Sequence, residues 1–125
     1  MSGLQASWLA QAGGEGDARG SSRVQVSWRA RVLLSQATFI ECRTLNISDV
    51  GVSLLCDRAL SSGATLNVAL AVPEPRDRSR IRPVTLMARV VFHAAAGDLF
   101  KIGMQFVQVD DDTRAFVRQA LRAGR

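Results

Sequence analysis

The stretch VQVSWRARVLL, residues 24–34, decides the fold, because its apolar residues recur at every second position. Val24, Val26, Trp28, Ala30, Val32 and Leu34 share one side of an extended chain, and Gln25, Ser27, Arg29 and Arg31 share the other. Side chains of a strand point alternately to opposite faces, so this pattern gives one buried face and one wet face. A half-buried strand of that kind belongs in an antiparallel sheet.

The same period repeats downstream. Ser35-Gln36-Ala37 reads as a turn, and TFIECRTLNI, residues 38–47, as a second strand. Ser48-Asp49-Val50-Gly51 interrupts it, and VSLLCD follows as a third, with Val52, Leu54 and Cys56 on one face. After a loop at residues 60–63, ATLNVALAV, residues 64–72, puts Leu66, Val68, Leu70 and Val72 inward. PEPRDRSRIRP, residues 73–83, is the most polar stretch, and its terminal prolines exclude it from a sheet centre. A fifth strand covers residues 84–92, residues 94–98 turn the chain, and a sixth strand covers residues 100–109.

The period then changes. In DDDTRAFVRQALRAGR, residues 110–125, Phe116, Val117, Ala120 and Leu121 fall on one helical face, with Arg114, Arg118 and Arg122 opposite. Asp111 or Asp112 is expected to cap the helix, and Gly124 to end it. The expectation is therefore a mainly β fold: a six-stranded antiparallel β-barrel with a C-terminal α-helix that plugs one end or covers an opening. Residues 19–125 form this domain. Residues 1–18, rich in Gly, Ala and Ser, read as a flexible N-terminal arm, in which Leu4, Trp8 and Leu9 have helical spacing.

A chain of 125 residues with 47% hydrophobic content suits one domain with a real core. Cys42 and Cys56 each lie among apolar neighbours in a strand, and read as two buried free thiols of a reducing cytoplasm rather than a disulfide. No apolar run reaches the roughly 18 residues of a transmembrane helix, and the N-terminus makes a poor secretory signal. The expected location is the cytoplasm, with a membrane reached only through a partner. Net charge is +5 from 16 basic and 11 acidic residues, and Lys101 is the only lysine. Arginine presents a planar fork that suits an anionic partner, although an arginine-rich base composition produces the same bias.

Catalysis fits poorly, and neither a cofactor nor a metal is expected. His93 is the single histidine, and its spacing from Cys42 and Cys56 matches no common zinc pattern. No Gly-rich phosphate loop is present. Arg76, Arg78, Arg80 and Arg82 read as a solvated hairpin connection, partly neutralised by Glu74 and Asp77.

Three local motifs remain. Arg19-Gly20-Ser21-Ser22-Arg23 reads RxxxR, Asn46-Ile47-Ser48-Asp49-Val50-Gly51 reads NxSxxG, and Gly103 to Phe106 reads GxxF. The chain between Arg23 and Asn46 is long enough for one strand and most of a second, which returns the arm to the turn. Over residues 19–121 this arrangement resembles the PilZ domain family. The resemblance implies a six-stranded barrel with a C-terminal helix and a non-enzymatic receptor for cyclic di-GMP. It implies ligand contacts from Arg19, Arg23, Asn46, Ser48 and Gly51. Ala18, which in the family bears on whether one ligand or an intercalated pair binds, and Arg89 are further possible contacts. Arginine can donate two bonds to guanine O6 and N7 or clamp a phosphate. Gly51 is expected to supply a positive φ or a close approach. The resemblance also implies an unidentified protein partner, or a fused or associated synthase, in exopolysaccharide, motility or adhesion control. Two other readings stand beside it: an interaction module of this fold without ligand, and a small barrel binding single-stranded nucleic acid. Scarce aromatics weigh against the latter, so no nucleic acid polymer is expected.

Overall fold

The structure is a computed structural model that describes residues 23–123. Six strands are present: β1 (Arg29–Leu33), β2 (Phe39–Ile47), β3 (Gly51–Cys56), β4 (Thr65–Pro73), β5 (Ile81–Ala96) and β6 (Leu99–Gln108). A helix, α1 (Asp111–Ala123), follows. The strands close a barrel in the order β1-β2-β3-β6-β5-β4, every neighbour antiparallel, with Ala30 opposite Leu70 and Val32 opposite Val68 at the seam. Closure leaves no unpaired sheet edge. Inward residues of alternate positions fill the interior: Val32, Ile40, Leu54, Val68, Leu70, Val90, Ile102 and Met104 are buried. Val117, Ala120 and Leu121 of α1 are buried in the same cluster, with Phe116 packed against it. Among the described residues no helix is long and apolar enough to cross a membrane.

The first strand is shorter than its sequence pattern. Val24 makes only an isolated bridge, its N–H donating to Ile47 O at 2.9 Å and its carbonyl accepting from Ile47 N at 3.0 Å. Between that bridge and β1, the buried Thr44 takes over part of the ladder. Its Oγ1 accepts from Trp28 N at 2.8 Å and donates to Val26 O, while Thr44 N donates to Trp28 O at 2.9 Å.

The fifth strand is longer than expected. Pro83 pairs with Ala71 inside the ladder, and the strand runs on to Ala96, so residues 94–96 are strand and His93 lies within it. The proline is tolerated for a local reason. Glu74 N donates to Arg80 O, so alternation along the pair puts Pro83 at a non-hydrogen-bonded position. β6 pairs with β5 only from Met87 onward, so no neighbour on that side needs the missing N–H. Gly97 and Asp98 form the turn to β6, with Gly97 at φ 67°, the first central position of a II′-type hairpin.

Asp110, rather than Asp111 or Asp112, caps α1: its Oδ1 accepts from Thr113 N at 2.7 Å. Those bonds to Thr113 hold the Asp110 carboxyl below its ordinary value. A depressed folded-state pKa contributes stability above the unfolded value and loses it as pH falls through the folded one. Asp110→Ala is therefore expected to lower the melting temperature at pH 7, with the gap to the native chain closing at acid pH in a calorimetric series. The arginine-rich connection is also not simply solvated. Arg78 Nη1 donates to Ala123 O at 2.9 Å, and the Arg82 guanidinium lies 4.4 Å from the Phe116 ring centroid. Two arginines of the hairpin thus hold the helix.

Candidate functional site

The β2–β3 hairpin owes its geometry to a break in period. Ile40, Cys42 and Thr44 are buried at even positions, but the next fully buried residue is Ile47. The register slips between Thr44 and Asn46, leaving Leu45 as the extra residue of a bulge. A one-residue slip turns every following side chain to the other face. Asn46 is thereby aimed off the core face, half-buried, opposite Ser53.

The turn itself closes with Ser48 N donating to Gly51 O at 2.9 Å and Val50 N donating to Ser48 Oγ at 3.1 Å. Ser48 is 1% exposed. Gly51 does not adopt a positive φ; among the described residues only Gly63 and Gly97 do. It is buried at the head of β3, opposite Gln105. Only the close-approach half of the expectation for this glycine remains.

Two motifs meet at this hairpin. Arg23 Nη1 donates to Asn46 Oδ1 at 3.0 Å, across 23 positions of sequence. The Val24–Ile47 bridge fixes the backbone on both sides of that contact. The last arginine of RxxxR is therefore bonded to the first residue of NxSxxG. Arg19 and Ala18 lie outside the described residues.

A third partner was not anticipated from the sequence. Asp49, between Ser48 and Gly51, accepts two bonds from Arg118, Nη2 at 2.6 Å and Nε at 3.1 Å. Its carbonyl accepts from Arg114 Nη1 at 3.2 Å. The hairpin turn is thus tied to α1 by two arginines one helical turn apart. Their i, i+4 spacing opposite the apolar face was visible, but the partner carboxylate was not. With Arg118 half exposed, Asp49→Asn is expected to cost only about 0.5–1 kcal/mol in a denaturant titration.

The sequence profile of the PilZ domain family matches residues 17–123. The chain belongs to the PilZ domain family. Comparison with curated proteins finds no matching sequence. Among solved structures, the Bacillus subtilis inhibitor of motility MotI/DgrA is similar with a TM-score of 0.70 at 19% identity, over 85% of this chain and 50% of that one. The PilZ domain of Escherichia coli YcgR, solved with cyclic di-GMP, gives 0.65 at 11% identity, over 84% of this chain and 89% of that one. YcgR in complex with cyclic di-GMP gives 0.68 at 11% identity, over 84% and 45%. This PilZ domain therefore spans half the length of the B. subtilis protein. At these identities the likeness is one of fold.

Three further arginines of the PilZ domain, Arg29, Arg31 and Arg89, lie on the strands away from the turn. Arg89 is exposed on β5 and stands in one cross-strand row with Gln105 and Gly51, two strands from the turn. At about 4.8 Å per strand, that row spans roughly 10 Å. Arg29 and Arg31 point away on β1. Arg31 Nε bonds Glu41 at 3.1 Å and its guanidinium lies over Phe39. They line a separate groove of about 270 Å³ with Ala69, Ala71 and Pro83. Near the turn, the buried Asp49 Oδ1 and Ser53 Oγ lack hydrogen-bond partners among the described residues.

Proposed function

We propose that this PilZ domain is a non-enzymatic receptor for cyclic di-GMP. The observation that carries the reading is the Arg23–Asn46 hydrogen bond, which brings the two motifs of the family into one place. The YcgR structures, solved with this ligand on a similar fold, support it.

The chemistry of the residues suits a dinucleotide with two phosphates and two guanines. Arg23 donates to Asn46, and a guanidinium fork at that position suits a phosphate or guanine O6 and N7. Asn46 Oδ1 keeps a second lone pair for guanine N1–H or N2–H. Ser48 Oγ accepts from Val50 N and still has its own proton to donate. Arg19 adds a second fork from the arm, Gly51 lets the ligand approach, and Arg89 and Ala18 border the site. The RxxxR segment, at the head of the barrel domain of residues 19–125 and after the arm of residues 1–18, closes around the ligand. Asp49 transmits the change to α1, whose altered contacts form the output toward a protein partner or synthase. Cytoplasmic action, in motility, adhesion or exopolysaccharide control, belongs to the same reading.

Calorimetric titration with cyclic di-GMP, GTP and a single-stranded oligonucleotide tests it. Saturable binding of cyclic di-GMP alone is expected. Silence toward it would leave the ligand-free interaction module, and oligonucleotide binding would favour the nucleic-acid reading. In the same assay Asn46→Asp is expected to hold or tighten affinity, up to about fivefold, because a carboxylate accepts two guanine bonds at once. Loss of binding in that variant would rule out guanine acceptance as the role of Asn46.

A further inference from the structure

Both cysteines of the chain face one another inside the barrel, and no step of the proposed receptor uses them. Cys42 on β2 and Cys56 on β3 are direct cross-strand partners. Thr44 N bonds Trp28 O on the β1 side, so two residues back Cys42 also turns its backbone groups toward β1. Its pairing with Cys56 is then non-hydrogen-bonded, the type with Cα atoms about 4.5 Å apart and side chains closest. That separation lies within the roughly 4.4–6.8 Å that a disulfide spans. The two sulfurs are in direct contact, so the backbone need not move to bring them to a bond. Both residues are free and buried.

We propose that Cys42 and Cys56 are a modification site, where a reversible disulfide closes the β2–β3 hairpin. The ring would enclose residues 43–55, and with them Asn46, Ser48, Asp49 and Gly51. The oxidant is a small-molecule disulfide such as oxidised glutathione. Cys42, 7% exposed against 1% for Cys56, takes the first step. Its thiolate attacks the glutathione disulfide, forming a mixed disulfide and releasing one glutathione thiolate. The Cys56 sulfur then attacks the Cys42 sulfur and releases the second. Two protein thiols lose two protons and two electrons, and one glutathione disulfide becomes two thiols. Excess reduced glutathione runs both steps backward. Either sulfur can donate the hydrogen bond between them, so the proton can rest on Cys56 and leave Cys42 as the attacking thiolate.

Because the partners already stand in register, the bond leaves the native barrel nearly unchanged and acts mainly by restricting the unfolded chain. The native protein, equilibrated with oxidised glutathione, is unfolded under acid quench and its thiols counted by alkylation and mass spectrometry. The expected product is a monomer lighter by two hydrogens, with no alkylatable thiol and a melting temperature higher on the order of 10 °C. Reduced glutathione is expected to reverse all three. Cys56→Ser is expected to stop at one bound glutathione. Two alkylatable thiols at equilibrium, a mixed disulfide as the native chain's end product, or a disulfide-linked dimer would overturn the proposal. The thiol count and mass of the native chain decide it even where the variant does not fold.

Discussion

Replacing Arg23 with alanine is expected to weaken cyclic di-GMP binding by about 10- to 100-fold. Each lost hydrogen bond to a charged group is worth about 1.5–3 kcal/mol, and tenfold in affinity is about 1.4 kcal/mol. The same substitution takes a partner from Asn46 Oδ1, so the turn meets the ligand less well prepared. Stability changes little, because Arg23 is only half-buried and precedes the first backbone bridge. The distinguishing outcome in calorimetry is a large loss of affinity beside a nearly unchanged unfolding midpoint. Equal affinity in the variant would remove Arg23 from the site.

Thr44→Val is expected to produce the opposite split. Valine keeps the shape, but it cannot bond Trp28 N or Val26 O, the two contacts of Thr44 Oγ1. Thr44 is 1% exposed, so water does not readily replace them. An orphaned buried group costs about 1–3 kcal/mol, and two together about 2–4 kcal/mol. Against a total stability of about 5–15 kcal/mol for a domain, that is a large fraction. The measurement is the denaturant midpoint at constant slope. Thr44→Ser, which keeps the hydroxyl, is expected to recover most of the loss. Hydrogen exchange at Val24 and Ile47 reports whether the segment beneath Arg23 has loosened. A midpoint unchanged by Thr44→Val would show that these two bonds do not hold the segment.

The barrel was legible because two-residue alternation is a direct consequence of burying one strand face, and six such stretches leave few alternatives. The helix was legible from the change to a 3.6-residue period at Phe116, Val117, Ala120 and Leu121. The details that failed are those set by distant partners. Three successive aspartates offer equal local cap chemistry, and only the packing of α1 selects Asp110. Pro83 is an acceptable strand residue only because no β6 residue lies beside it. Gly51 looked like a positive-φ position, yet the turn is made by Asp49 and Val50 without one. The bulge at Leu45 left a trace in the sequence, as buried positions shift from even numbers at Ile40 and Cys42 to odd at Ile47. Asp49 with Arg118 left none, because an ion pair 69 positions apart has no local period. Register brought Cys42 and Cys56 face to face, and register is not written in either strand alone.

The central claim is where the ligand sits, and a titration of isotope-labelled protein followed by amide NMR tests it most directly. Cyclic di-GMP is predicted to shift the amides of residues 23–28 and 46–51 and the Arg89 amide together, saturating with the calorimetric affinity. Arg118 Nε–H is predicted to follow through Asp49. Shifts confined to the groove beside Arg29, Arg31, Ala69 and Ala71, or none at saturating ligand, would contradict the account.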